Sequence, residues 1–415
     1  MQNSNPDPSV ASATMPLVGL ARMTRLAMDG ADLAPLRAEL IARLERDASD
    51  ASAWLDLSTL VHLQGDRSSR IALQSEALKR ARHFTHGAAG AAPLRLIALM
   101  APGDFMANTP LEFLLEGSGI ALDSLYLTAD APLPRSLPEH DVGMVAIAES
   151  DANLPLLKRL AASAVSWPRP LINDPDRIAS LTRDGFARLM RDAPGVAAPP
   201  VTRMNRAQLE NLREAVSWPD CPVIIRPVGS HAGEKLQKAE RPQELADYLA
   251  EVICDDYYVS PFVDYSAADG LFRKYRIALI DSAPFAVHMA VSRHWMVHYL
   301  NADMADNEAH RLEEALFMER FESDFAQRHA AAFRAVSERT GLDYVLLDCA
   351  ETGAGELLIF EAGTAMIVHA LDPVEIYPYK RPQMRKVFAA FADMVRRKAA
   401  ARNGDAKITV SAAVP

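Results

Sequence analysis

Two carboxylates stand inside segments that otherwise look fit for burial. In GLDYVLLDCAETGAGELLIFEAGTAM, residues 341–366, Asp348 interrupts one apolar run and Glu361 another, with a glycine-containing turn between them. If the two runs pair as a hairpin, the acids approach each other. Two buried, unpaired carboxylates repel and are costly to desolvate. A divalent cation removes that cost. Oxygen-only ligands suit Mg²⁺, which keeps waters and takes phosphate oxygens as its remaining ligands. The chemistry implied is nucleotide phosphate bound through a metal on Asp348 and Glu361. On this reading, removing one acid from the empty site leaves the fold intact.

Three upstream stretches offer partners for such a ligand. In CPVIIRPVGSHAGEKLQK, residues 221–238, an apolar strand delivers Arg226 to a loop with Gly229, Ser230 and Gly233. Glycine brings backbone N–H groups close to an anion, and a guanidinium can fix phosphate oxygens. A glycine hairpin carrying surface charges has the same pattern. In DYYVSPFVDYSAADGLFRKYRIALI, residues 256–280, Pro261 cannot donate a ladder bond, so the strand should end there. The exposed crossover suits a purine edge, with Asp264 on the ribose hydroxyls. Lys274 and Arg276 lie two apart and share one face of the next strand, with Tyr275 and Ile277 left for the core. Finally, APFAVHMAVSRHWMVHYLNADM, residues 283–304, holds three of the eleven histidines, His288, His294 and His298, with Arg293, Trp295 and Tyr299. A structural hydrogen-bond network would look the same. His369 follows the second acidic strand and is a further candidate.

The elements that must position these residues are legible in outline. The chain has 415 residues, 49% hydrophobic and 24% charged, which predicts two or three soluble domains. A net charge of −10 argues against a nucleic-acid or anionic-membrane surface, and no apolar run is long enough to span a bilayer. The three cysteines have no metal-ligand or disulfide spacing, which favours a reducing cytoplasm. Residues 1–15 read as a disordered tail. Residues 16–86 read as helical, and Trp54, Leu57, Gly65 and Ala77 stand at tetratricopeptide-like positions. One repeat is not stable alone, so it should pack on the next domain or on a second copy of the chain in a homo-oligomer, with a protein or peptide partner as a third use. An ordinary helical hairpin fits equally.

A small-residue linker follows at 85–93. Residues 92–199 alternate strand and helix, predicting a small parallel α/β domain. Thr109 is expected to cap the short helix that starts at Pro110, and the loop APGDFMANTP should lie at the carboxyl edge of the sheet. Residues 200–400 are strand-rich, with helices near 241–253, 306–339 and 382–400. Residues 401–415 read as a mobile tail. The fold class is therefore α/β and α+β, behind a helical N-terminal segment.

From about residue 92 to 397 the sequence resembles the ATP-grasp superfamily, through PLINDP…RDGFARL…PGVAAPPVT, PVIIRPVGSHAG, YVSPFVDY, FRKYRIALI and LDCA…IFEAG, in that order. The resemblance implies an α/β pre-grasp domain before two α+β subdomains that clasp ATP. It implies an ADP-forming carboxylate–amine or carboxylate–thiol ligase acting through an acyl phosphate, on small amino or hydroxy acids or a short peptide, with ATP and Mg²⁺. Arg226, Gly229, Ser230, Gly233, Asp264 and Lys274 would then bind ATP, and Asp348 and Glu361 the metal. Arg276, Arg293 and His294 would be catalytic, with His288, His298, Tyr299 and His369 beside the acceptor. Arg293 would hold a substrate carboxylate, and His294 or His298 would take the proton of the nucleophile. That loop is expected to lie away from the Gly229–Gly233 loop.

Three positions depart from the family pattern. Arg226 stands for the usual lysine. Near Asp184, where a second lysine is common, Gly185 follows, and Arg183 or Arg188 would compensate. Gly363 stands for the usual asparagine, so one metal ligand is missing from its place. A non-catalytic nucleotide-binding scaffold and an ATP-grasp kinase are the competing readings.

Overall fold

The structure, a computed structural model, describes residues 11–87, 93–104, 106–134, 136–214, 221–231, 233–299 and 302–410. Most of the expected linker, the first ten residues of the expected N-terminal tail and residues 411–415 of the C-terminal one lie outside them. One unit takes in the chain up to Ala179 and again from Thr364; Ser180–Gly363 forms the other.

The first unit begins with four helices, α1 (Leu20–Met28), α2 (Ala34–Arg46), α3 (Ala51–Leu63) and α4 (Arg67–Arg80). Asp50 and Asp66 cap α3 and α4 through the amides of Ala53 and Ser69. Residues 83–85, within the stretch expected to be helical, instead form β1 (His83–Thr85). Residues 11–15, read from sequence as disordered, run beside it: Ala13 N–H donates to the His83 carbonyl at 2.9 Å, and Leu17 N–H to that of Thr85 at 3.0 Å. Leu17, Leu55, Ala77, Phe84 and Tyr126 share one apolar cluster, so the helices do pack on the sheet that follows them.

That sheet has the order β1-β3-β2-β4-β5, with β2 (Arg95–Met100), β3 (Ala121–Tyr126), β4 (Val142–Val145) and β5 (Leu171–Ile172) parallel and β1 antiparallel at its edge. The near-continuous apolar runs of β2 and β4 match strands buried on both faces. Helices α5 (Leu111–Leu114) and α6 (Leu154–Ala164) connect strands of this sheet, and α7 (Pro175–Ala179) follows β5. Pro110, not Thr109, precedes α5. The Thr109 hydroxyl instead donates to the carbonyls of Ala146 and Thr364 at 3.2 and 3.0 Å.

The second unit holds two sheets, one for each α+β subdomain that the resemblance implied. The first, all antiparallel, has the order β7-β10-β8-β9, from β7 (Thr202–Asn205), β8 (Val223–Pro227), β9 (Gln237–Ala239) and β10 (Asp256–Pro261). Helices α9 (Arg206–Glu214) and α10 (Pro242–Glu251) contribute Leu209, Leu245, Tyr248 and Leu249 to its core with Val223, Ile225, Tyr257 and Val259. The second sheet has the order β12-β11-β13-β14-β6, from β6 (Val196–Ala197), β11 (Phe272–Ile280), β12 (Ala283–Ser292), β13 (Tyr344–Glu351) and β14 (Leu357–Gly363). Helices α8 (Arg183–Leu189), α11 (Glu308–Arg320), α12 (Phe325–Arg328) and α13 (Ala330–Thr340) complete the unit. Tyr275 packs on Phe317 and Phe325 with ring centroids 4.9 and 4.6 Å away, as its alternation with Lys274 and Arg276 predicts.

The chain then returns to the first unit. Its last helix, α14 (Lys380–Val410), buries Met384, Val387, Phe391, Met394 and Val395 at helical spacing and includes residues 401–410 of the expected tail.

Candidate functional site

The two acids and their cationic neighbours meet in one row. Strands β13 and β14 pair as the expected hairpin, and Asp348 is the register partner of Glu361. On β11, Arg276 is the partner of Asp348, and on β12, His288 is the partner of Arg276. His288, Arg276, Asp348 and Glu361 therefore cross four adjacent strands. The register shifts at Arg276/Ile277 and at Asp348/Cys349, so both ladders are irregular at this row. Such bulges re-aim side chains and are frequent beside functional sites.

The acids are not left for a metal. Arg276 donates Nε to Asp348 Oδ1 at 2.7 Å and Nη2 to Oδ2 at 3.0 Å, and Lys274 Nζ lies 2.7 Å from Oδ2. The Asp348 side chain is 5% exposed. Its burial alone would raise its pKa, but Arg276 and Lys274 hold the carboxyl far below the usual range. Arg183 Nη2 pairs with Glu361 Oε2 at 2.8 Å, and Arg183 Nη1 donates to the Phe360 carbonyl at 2.9 Å. Burial works against ionisation of Glu361 too, and Arg183 followed by Arg226 outweighs it.

Tested against Mg²⁺, this donor set does not fit. Both Asp348 oxygens carry a cationic donor, Glu361 carries a guanidinium, and Gly363 supplies no side chain. Among the described residues no group of three His, Cys, Asp or Glu side chains could hold a metal ion. The two acids meet as the sequence spacing predicts, and each is already met by cations that the spacing could not show. Asp348 is thus a member of a buried ion network with Lys274 and Arg276.

Arg226 ends β8 and turns back on the following loop. Its Nε donates to Ser230 Oγ at 3.1 Å, and Nη2 to the Ser230 carbonyl. Burial, then repulsion from Arg183, lowers its pKa to about 10, still protonated at neutral pH. Gly229 and Gly233 both have positive φ, 77° and 75°. A Cβ on Gly233 would come within 2.9 Å of Met296 Sδ. The loop that carries Arg293 and His294 thus approaches the glycine loop, contrary to the separation expected from chain order. Strand β10 does end at Pro261, and exposed Asp264 accepts from Ser266 N–H at 2.9 Å in a turn beyond it.

The acceptor-side residues divide into three sets. His288 packs against Tyr299 with ring centroids 4.9 Å apart, and the Tyr299 hydroxyl donates to Glu314 Oε2 at 3.2 Å. Burial, with Lys274 and Arg276 beside it, holds His298 below the usual imidazole range against the pull of Asp348. Arg293 and His294 are exposed at the loop tip. His369 belongs to the first unit, where its Nδ1 accepts from Leu371 N–H at 3.2 Å and its ring lies 6.1 Å from Phe113.

Sequence reasoning missed Glu314. It is fully buried on α11 and also accepts from Met289 N–H at 3.0 Å. Its position one turn before buried Met318 is the hint the sequence held. Arg183, which the family pattern suggests as a replacement for a missing lysine, is the partner of Glu361.

No protein-family model and no curated protein sequence matches the chain. Solved structures that it is similar to include a RimK domain ATP-grasp protein from Sphaerobacter thermophilus DSM 20745, at 15% identity over 72% of this chain and 99% of that one, with a TM-score of 0.42. A D-alanine–D-alanine ligase from Bacillus anthracis complexed with ATP matches at 10% identity, 75% and 99% coverage and a TM-score of 0.45. The VanG D-Ala:D-Ser ligase from Enterococcus faecalis gives 13%, 74% and 99%, and 0.46. No helix among the described residues is long and apolar enough to cross a membrane.

Proposed function

We propose that this chain is an ATP-grasp ligase: its second unit binds ATP and transfers the terminal phosphoryl group to a small carboxylic acid, releasing ADP, and an amine or thiol then attacks the acyl phosphate, loses its proton and expels inorganic phosphate. One observation carries the reading. Four cations, Arg183, Arg226, Lys274 and Arg276, surround two carboxylates, Asp348 and Glu361, beside a glycine loop. The row keeps positive charge in excess and half-buried, which asks for an anion with more than one charge, and a triphosphate supplies it.

In this reading Arg226 and the Gly229–Gly233 loop hold phosphate oxygens, and Asp264 takes the ribose. Lys274 and Arg276, locked by Asp348, present fixed positive charge where negative charge develops on the transferred group, so no reorganisation is needed during transfer. No step runs through Mg²⁺. Neutral His298 is available at neutral pH to take the proton of the nucleophile, and Arg293 to hold a substrate carboxylate. The free thiols of Cys221, Cys254 and Cys349 suit a cytoplasmic enzyme.

A second reading, a nucleotide-binding protein without turnover, is favoured by the pairing of both acids and by Gly363. The test incubates purified protein with ATP and pools of carboxylates and amines, and follows ADP by mass spectrometry. ADP formed only when both pools are present supports the ligase. Binding without ADP supports the second reading, and a stable phosphorylated acid identifies a kinase.

A further inference from the structure

We infer that this site takes the polyphosphate of a nucleotide without a divalent cation, with the Arg183 guanidinium holding the place beside Glu361 that a metal ion would need. The inference rests on the nucleotide reading above and adds how the phosphate charge is met.

Its first ground is the way Arg183 is held. The residue opens α8, where the Thr182 hydroxyl accepts from Gly185 N–H at 3.0 Å. A Cβ on Gly185 would lie 2.6 Å from the Ser180 carbonyl oxygen and 2.5 Å from Thr182 Oγ1, so the turn closes tightly only around glycine. Two donors of Arg183 then engage consecutive residues of β14, the Phe360 carbonyl and the Glu361 carboxylate. The guanidinium is fixed at both ends, and its side chain is 17% exposed. A group placed in this way is part of the site and not a passing surface pair.

The second ground is charge. A metal ion entering between Asp348 and Glu361 would displace Arg276, Lys274 or Arg183 from its carboxylate and add like charge to a row already in positive excess. A phosphate chain does the opposite. It gives Arg226 and Arg183, which now repel each other, a shared counter-charge, and it needs none of the existing pairs to break. The glycine at 363 fits the same account, since a site that holds no metal needs no third ligand.

The experiment titrates ATP into the full chain by calorimetry, once with Mg²⁺ and once with EDTA. The two dissociation constants are expected to agree within about threefold. Arg183→Gln should weaken binding in EDTA by about tenfold or more, with Mg²⁺ recovering part of the loss because Glu361 is released. Arg241→Gln, a surface change at the N-cap of α10 in the same unit, should leave both values alone. Mn²⁺ titrated without nucleotide should show no binding to the wild type. Tighter ATP binding in Mg²⁺ by about tenfold or more, or Mn²⁺ binding alone, overturns the inference and leaves the nucleotide reading standing. An unchanged Arg183→Gln variant in EDTA removes Arg183 from it. Absence of ATP binding in both buffers overturns the nucleotide reading, and the inference with it. The wild-type comparison decides the main point even if Arg183→Gln fails to fold.

Discussion

Replacing Asp348 by Asn separates a metal ligand from a structural counter-ion. Asp348 is buried and takes three charge-assisted contacts, two from Arg276 and one from Lys274. The amide keeps the shape and loses the charge, so two half-buried cations face each other with no anion between them. Removing one partner of a buried ion pair costs about 3–5 kcal/mol. Against a stability of about 5–15 kcal/mol, that is a large fraction. For a unit of this size each kcal/mol shifts Tm by about 2–4 °C, so the lower bound corresponds to a fall of about 6–12 °C. Because its folded-state pKa is strongly depressed, the Asp348 contribution is present above the unfolded carboxylate pKa and is lost only as pH falls through the folded value. The loss on substitution should therefore be the same from about pH 5 to 8. Urea unfolding followed by tryptophan fluorescence measures it. Adding Lys274→Met should recover part of the loss, which a double-mutant cycle reads directly. Glu361→Gln is the contrast: its carboxylate is a third exposed and has one close partner, so a smaller loss than that of Asp348→Asn is expected. An Asp348→Asn variant within about 1 kcal/mol of the wild type would refute the ion-network account and return Asp348 to the metal-ligand role.

Arg226→Ala should weaken ATP binding by about tenfold or more, from a charge-assisted phosphate contact of about 1.5–3 kcal/mol, with acceptor KM nearly constant; an unchanged nucleotide Kd removes Arg226 from the phosphate site. Arg293→Ala and His294→Ala, both exposed at the loop tip, should change acceptor use with ATP affinity held, and loss of ATP binding in both would place the loop at the nucleotide instead. In the first unit, burial raises Asp56 to about 7, although the amides of Val18 and Gly19 pull the other way. The folded state then holds a proton that the unfolded chain releases near 3.8, so stability should rise as pH falls from 8 towards 5. Asp56→Asn should flatten that rise in thermal melts of the first unit, and a wild-type melt independent of pH would contradict it.

The sequence determined most of the local structure, because the signals are local. Period-2 alternation placed Tyr275 in the core and Lys274 with Arg276 on the other face. Pro261 ended β10 for want of an N–H, and the Thr352–Glu356 turn let Asp348 and Glu361 meet. Tertiary structure decided what those acids do. Arg276 lies 72 residues from Asp348, and no spacing rule connects them, nor Arg183 with Glu361. Only register across β12, β11, β13 and β14 sets His288, Arg276, Asp348 and Glu361 in one line. The same holds for Thr109, whose cap signal lost to carbonyls on Ala146 and Thr364, and for Met296, which chain order separated from Gly233 and packing brought beside it. A carboxylate in an apolar run signals that something must neutralise it. Whether that is a metal or a guanidinium depends on which side chains the fold delivers to the same few ångströms, and that information is spread along the whole chain.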